Sequence, residues 1–206
     1  MIEHERSRPE VATSGNQLAW RTRDIVVAAA LAVPLGLIWG LVWLPLWFAG
    51  SQILPEIGTF LSGFFVVSGV LVGYVIRRPG SAVVGAVLAA LIEMPFTPFG
   101  AIVLWLGLLQ GLGVEIVFLS TGYRRFGLPV LMLAGAAGGA AMWLVYEYTT
   151  FGYAQLAIEI QILRLVVKLI GGAILAGLAG KLIGDALAKT GVLDNFAIAR
   201  GRRQEI

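Results

Sequence analysis

Residues 108–119 read LLQGLGVEIVFL, an apolar run that two polar side chains, Gln110 and Glu115, interrupt. The run continues into residues 101–121, where Glu115 is the only charged residue. A stretch of this length can span a bilayer, which takes about 20 residues. An amide and a carboxylate are costly in that setting, so we expect each of them to have a specific partner or a ligand.

The composition of the whole chain is that of an integral membrane protein. Of its 206 residues, 58% are hydrophobic and 13% are charged, and the mean hydropathy is +0.87. Soluble domains average about 25% charged residues. The net charge is +3, but the placement of the charges gives no reason to expect a nucleic-acid partner. The chain has no cysteine, which excludes disulfides and thiolate chemistry.

Six apolar stretches predict an all-α membrane protein with a six-helix bundle in the lipid bilayer. The third stretch is short, but with Met94 and Pro95 it reaches the far interface. We expect a polar leader at 1–23, a transmembrane domain at 24–188 and a basic tail at 189–206. The six stretches cover residues 25–49, 57–76, 81–92, 101–121, 128–148 and 160–183.

The basic residues predict the orientation of this bundle. They precede the first stretch, lie between the second and third and between the fourth and fifth, and close or follow the sixth. Basic loops favour the cytoplasmic side, so both termini are expected there, with an acidic outer side. Thirteen of the fifteen Lys and Arg residues follow this pattern: Arg6, Arg8, Arg21, Arg23, Arg77, Arg78, Arg124, Arg125, Lys181, Lys189, Arg200, Arg202 and Arg203.

Several reaction chemistries lack the residues they need. The single histidine, His4, lies in the polar leader, so a Ser–His pair or a His-based metal site within the membrane is not expected. The three aspartates lie at helix ends or in the tail, and no G-x-x-x-x-G-K-[ST] occurs. We therefore expect no catalytic residues, no metal and no cofactor in this chain. Any uphill transport would take its energy from a partner or an ion gradient.

The depth of the polar residues predicts two groups. At about 1.5 Å per residue, Gln110 lies near mid-membrane, with Glu93 and Glu147 at the outer rim. These three are expected to line a cavity that opens outward. Glu115 and Lys168 share a deeper level and are predicted to form a buried ion pair, or Glu115 contacts the floor of the site. The alternatives are solvated helix ends for the rim acids and an interhelical hydrogen bond for Gln110.

Aromatic residues gather toward the predicted outer half. Most of them fit an interfacial belt, but a few, including Trp43, are candidates for stacking against a ligand. Carboxylates, an amide and aromatic faces together suit a flat heteroaromatic cation. The group comprises Trp39, Trp43, Trp47, Phe48, Phe96, Phe99, Trp105, Trp143, Tyr146, Tyr148, Phe151 and Tyr153.

A family resemblance rests on five segments: IRRPGSA, AALIE, QGLGVEIVF, GLPVLMLAG and GGAILAGLAGKLIGDALAKTGVLDNF. Over residues 22–198 the chain is similar to the YkoE family. These proteins are substrate-binding S components of energy-coupling-factor (ECF) vitamin transporters. The resemblance implies a six-helix S-component bundle and a ligand such as thiamine or its hydroxymethylpyrimidine moiety. The implied partners are a transmembrane coupling (T) protein and two ABC ATPases, which would use the ATP.

The resemblance also assigns roles to individual residues. It implies ligand contacts for the acid of A-A-x-x-E, for both polar residues of QGLG-x-E and for the aromatic–acid pair at the end of the fifth stretch. These are Glu93, Gln110, Glu115, Tyr146 and Glu147, with Lys168 at a basic position of the sixth stretch.

Two further positions bear on the resemblance. Ala86 stands where relatives carry an acid, seven residues before Glu93 and on the same helical face. Ala28 and Ala32 have the A-x-x-x-A spacing that S components use against the coupling protein, so they are the expected docking face.

The resulting expectation is a non-enzymatic, multi-pass subunit in the plasma membrane of a prokaryote. It captures a thiamine-type vitamin outside and delivers it through partner subunits. The alternatives are an S component for a different heterocyclic vitamin and a ligand-free membrane scaffold protein.

Overall fold

The computed structural model describes residues 20–150, 152–193, 196 and 198. Every regular element in that part of the chain is a helix. Five helical segments are long and apolar enough to cross a membrane, and a sixth, α3, is shorter. The segments are α1 (Thr22–Ile53), α2 (Pro55–Ile76), α3 (Ser81–Phe96), α4 (Ile102–Ser120), α5 (Leu128–Thr150) and α6 (Ile158–Lys189).

The six predicted stretches correspond to these six segments. The largest differences are at α1 and α6, which each run for 32 residues and extend past both predicted ends. The predicted leader and tail fall mostly outside the described residues.

The centre of the bundle is α2. All ten residues of its last part, Val67–Ile76, are buried. A helix that is apolar all round has no face to leave in solvent or lipid, and it is stable where neighbours surround it. The other segments pack around this part of α2, with Phe118 of α4 and Leu131 of α5 fully buried against the core.

Small residues let the helix backbones touch. A Cβ at Gly172 of α6 would lie 2.4 Å from the carbonyl oxygen of Gly135 on α5. A Cβ at Gly171 would lie 2.3 Å from the carbonyl oxygen of Phe60 on α2. Side chains larger than hydrogen do not fit at these distances, so these two glycines let α6 pack directly against α2 and α5.

The same packing overturns the predicted docking role of Ala28 and Ala32. Both side chains are fully buried, and they face α2 and α3 inside the bundle. The A-x-x-x-A spacing is used within this chain, because small side chains let α1 approach its neighbours closely. A buried face cannot contact a partner protein, so the prediction that these alanines form the coupling-protein interface is wrong.

Ala86 is also a packing residue. It is fully buried, and its Cβ lies 3.2 Å from where a Cβ at Gly111 of α4 would be. An acidic side chain at this position would need space that α4 occupies. The alanine therefore suits the close approach of α3 and α4 in this chain.

The arginine-bearing segments meet at one end of the bundle, called here the arginine end. Arg78 forms an ion pair with Asp24 of α1, with 2.9 Å between Nε and Oδ2. The indole N–H of Trp20 donates to the carbonyl oxygen of Pro79 at 2.9 Å. Arg77 stands over the ring of Phe126, 4.6 Å from its centre. The start of α1, the α2–α3 connection and the α4–α5 connection are thus joined.

Candidate ligand-binding site

A cavity of about 260 Å³ lies toward the other end of the bundle, called here the cavity end. Four of its polar lining residues come from three different segments: Glu93 of α3, Gln110 of α4, and Tyr146 and Glu147 of α5. The sequence predicted all four as ligand contacts, and the structure brings them together. The rest of the wall is largely apolar and includes Trp39, Trp47, Phe65, Phe99 and Tyr153.

Departures from regular α-helix occur around this cavity. A π-helical turn at Trp39–Trp43 begins with a cavity residue, and another at Trp143–Glu147 ends with one. A 3-10 segment at Ser62–Val66 contributes Ser62 and Phe65. π-turns in helices occur frequently at functional sites, because they re-aim side chains without ending the helix.

Glu93 is the last residue of the regular part of α3. A 3-10 turn at Met94–Phe96 follows, because Pro95 has no N–H to continue the helical hydrogen bonds. The side chain is 6% exposed and lines the cavity. Among the described residues no group forms a hydrogen bond or an ion pair with its carboxylate. A carboxylate buried in this way is available for a ligand.

Glu147 has a protein partner. Its Oε1 accepts a hydrogen bond from the ammonium group of Lys168, and the two residues form a buried ion pair at the cavity wall. Lys168 is 1% exposed. Since α6 starts at the cavity end and helical side chains tilt toward the helix N-terminus, the long lysine side chain leans toward Glu147.

Gln110 lies on α4 at the cavity wall. Its Nε2 is 2.9 Å from the sulfur of Met142 on α5. Its amide oxygen takes no hydrogen bond from a described residue. Sulfur is a weak acceptor, so most of the hydrogen-bonding capacity of this amide is open to a ligand in the cavity.

Glu115 does not line the cavity, and its predicted ion pair with Lys168 is wrong. Its carboxylate accepts hydrogen bonds from the backbone N–H groups of Gly80 and Ala82 and from the phenol of Tyr123. The Ala82 bond is 3.1 Å long. The first N–H groups of a helix have no partner within it and attract an anion. Glu115 therefore caps α3 at the arginine end.

Trp43 is placed outside the cavity lining. Its indole N–H donates to the carbonyl oxygen of Leu61 at 2.9 Å, and its ring lies 4.2 Å from that of Phe64. Trp39, one turn earlier, takes the place at the cavity wall. The sequence analysis placed both tryptophans among the outer aromatics. Because the π-helical turn at Trp39–Trp43 departs from 3.6 residues per turn, residue spacing does not predict which of the two faces the cavity.

Some lining residues carried no sequence signal. Ser62, Phe65 and Met142 are cavity residues that were not predicted. They lie in apolar stretches where one more apolar or hydroxyl side chain does not stand out in the composition. Tyr153 belongs to the connection between α5 and α6, and burial raises the pKa of its phenol above the ordinary value.

The chain is similar in sequence to known membrane transport proteins. Residues 23–141 match the family described as "ABC-type cobalt transport system, permease component". The chain is 35% identical over 187 residues to the "Putative HMP/thiamine permease protein YkoE" of Bacillus subtilis (strain 168), covering 88% of this chain and 92% of that protein. The chain belongs to the YkoE family.

A solved structure supports the same assignment for this YkoE-family chain. It is described as "Crystal structure of an S-component of ECF transporter", with a TM-score of 0.86 and 34% identity. The match covers 91% of this chain and 95% of that structure. The predicted resemblance is confirmed. The fold and family are those of substrate-binding S components of transporters and not those of enzymes.

Proposed function

We propose that this S component captures thiamine or its hydroxymethylpyrimidine moiety from outside the cell. The carrying observation is the cavity in which the unpartnered carboxylate of Glu93 and the amide of Gln110 meet a largely apolar wall that includes several aromatic rings. A relative at 35% identity is named as a permease for hydroxymethylpyrimidine (HMP) and thiamine. The amide suits ring nitrogens and an exocyclic amine, and the aromatic faces suit a planar ring.

The charges at the cavity support a ligand with one positive charge. Glu147 is neutralised by Lys168, whereas Glu93 has no cationic partner among the described residues. A cation bound beside Glu93 would remove the cost of burying that carboxylate alone. Thiamine carries one positive charge on its thiazolium ring, and its phosphates add negative charge. We therefore expect thiamine to bind more tightly than its phosphates.

The proposed assembly follows from the orientation. With the arginine end in the cytoplasm, both termini of the six-helix bundle are cytoplasmic and the cavity end faces outward, in the plasma membrane of a prokaryote. A T protein and two ABC ATPases would then complete the transporter and consume the ATP. The purified chain alone is expected to bind ligand and to show no ATPase activity.

A binding titration tests the proposal. The purified protein is titrated with thiamine, thiamine monophosphate, thiamine diphosphate and hydroxymethylpyrimidine, with heat or tryptophan fluorescence as the readout. Saturable binding of thiamine or hydroxymethylpyrimidine supports the function. Binding of a different heterocyclic vitamin would assign another substrate to the same site, and no binding of any vitamin would favour a scaffold role.

A further inference from the structure

Three polar residues of α6 lie on one face of the helix. Gln161, Arg164 and Lys168 are spaced by three and four residues, which places them one above another. We call them the polar stripe. Arg164 and Lys168 are the two cations that interrupt the sixth apolar stretch, and the function proposed above uses neither directly.

Each member of the polar stripe contacts the end of α5 or the connection that follows it. Lys168 pairs with Glu147. The guanidinium carbon of Arg164 lies 4.6 Å from the centre of the Tyr153 ring. The Nε2 of Gln161 donates to the carbonyl oxygen of Leu156 at 2.8 Å. The polar stripe thus joins α6 to the end of α5 at Glu147 and to the α5–α6 connection at Tyr153 and Leu156.

Tyr153 occupies a particular place in the cavity wall. At the cavity end the wall is built by helix ends and connections, through Ser51, Pro55, Phe99 and Tyr153. Tyr153 starts a short 3-10 turn, Tyr153–Gln155, directly after Gly152, which has a positive φ of 70°. Glycine adopts this backbone conformation at no steric cost, and the turn carries the Tyr153 ring to the cavity wall, where Arg164 contacts it.

Arg164 has Tyr153 as its principal partner. Within the described residues Arg164 forms no ion pair, and its Nε has no hydrogen-bond acceptor. It does not line the cavity itself. A cation in a spanning helix is costly unless a partner stabilises it, and the face of an aromatic ring does so.

We propose that Tyr153 is the cover of the ligand cavity and that Arg164 is the positioning residue that holds it closed. The contact between them then sets how fast the cavity opens. This inference takes the cavity as the ligand site and so rests on the proposed function. Lys168 lies one turn deeper and holds the carboxylate of Glu147 at the inner part of the cavity wall. Arg164 acts at the entrance of the cavity, through its contact with Tyr153.

A cysteine reporter tests the cover without any ligand. The chain has no native cysteine, and Ser62 is a small, buried residue of the cavity wall. In the Ser62→Cys protein, the reaction rate with a small, membrane-impermeant methanethiosulfonate measures opening of the cavity. Adding Arg164→Met should speed the reaction roughly threefold to thirtyfold, the range that corresponds to a cation–π contact.

Matched variants separate the cover from a general loss of structure. Tyr153→Ala should act like Arg164→Met, whereas Arg164→Lys, which keeps a cation beside the ring, should stay closer to the parent rate. Arg124→Met at the arginine end is the control for loss of a positive charge. Unfolding by Arg164→Met would show as a lower melting temperature, and Tyr153→Ala then carries the test.

Ligand exchange gives the second readout. Thiamine should leave preloaded Arg164→Met protein about tenfold faster than it leaves the parent, with ligand entry accelerated as well. If the Ser62→Cys thiol is labelled at the parent rate both after Arg164→Met is added and after Tyr153→Ala is added, the proposal that Tyr153 covers the cavity is overturned. Failure of thiamine to bind the parent protein would overturn the proposed function instead, and the labelling result would still decide the cover.

Discussion

Two buried carboxylates, Glu115 and Glu147, differ in their partners because they point in different directions around the bundle. Glu115 faces the start of α3 and accepts backbone hydrogen bonds there. Glu147 faces α6 and pairs with Lys168. Depth along a helix follows from counting residues at about 1.5 Å each, but the direction of a side chain depends on how the helices are rotated against one another. The sequence therefore predicts the depth of a side chain but not the direction in which it points.

The first residue-scale prediction concerns Gln110. Replacing it by leucine should weaken thiamine binding by roughly tenfold to a hundredfold, because a ligand polar group left unpaired costs about 1–3 kcal/mol. Its side chain lines the cavity, and its bond within the protein is to a sulfur, so the melting temperature should change little. Gln52→Leu, at an exposed position of α1, is the matched control. Unchanged affinity in Gln110→Leu would make this amide a packing residue only.

A double-mutant cycle tests the ion pair at the cavity wall. Lys168→Met should lower the stability by about 3–5 kcal/mol, because it leaves the Glu147 carboxylate buried without its cation. Combined with Glu147→Gln, the cost should be smaller than the sum of the single changes, the signature of a coupled pair. The same cycle with Glu115→Gln should be additive. Coupling between Glu115 and Lys168 would contradict the geometry described here.

At the scale of the helix, the apolar stretches predicted each segment to within a few residues at most ends. Length and hydropathy suffice for this, because the membrane requires about 20 apolar residues in a hydrogen-bonded helix. The π-turns and the 3-10 segment at the cavity were not predictable, since the residues at Trp39–Trp43 and Ser62–Val66 are as apolar as their neighbours. Glu93, Gln110 and Glu147 could be predicted because each of them interrupts or ends an apolar run.

Close helix contact gives an element-scale prediction. Gly172→Ala should destabilise the protein by about 1–3 kcal/mol, as overpacking does, because the new Cβ would lie 2.4 Å from the carbonyl oxygen of Gly135. Gly127→Ala is the control: the nearest contact for its Cβ is at 3.7 Å, and its φ of −65° suits alanine. Thermal unfolding in detergent measures both. Equal melting temperatures would mean that α5 and α6 are not in backbone contact.

At the scale of the whole molecule, the basic residues of the connections and the ligand cavity lie at opposite ends of the bundle. The arginine end joins three chain segments through ion pairs, hydrogen bonds and an aromatic contact. The cavity end holds Glu93 and Glu147. This separation fits the importer proposed above, because an acidic cavity that faced outward would attract a cationic ligand. We predict that the basic end stays in the cytoplasm, because positive loops tend to remain there during membrane insertion.

The orientation itself is the last prediction, and single cysteines decide it. Thr97 lies in the α3–α4 connection at the cavity end, and Arg125 lies in the α4–α5 connection at the arginine end. In intact cells an impermeant thiol reagent should label Thr97→Cys and leave Arg125→Cys unlabelled. Permeabilised cells should show labelling of both, which confirms that each cysteine can react. The reverse pattern would turn the cavity toward the cytoplasm, and capture of a vitamin from outside would then fail with it.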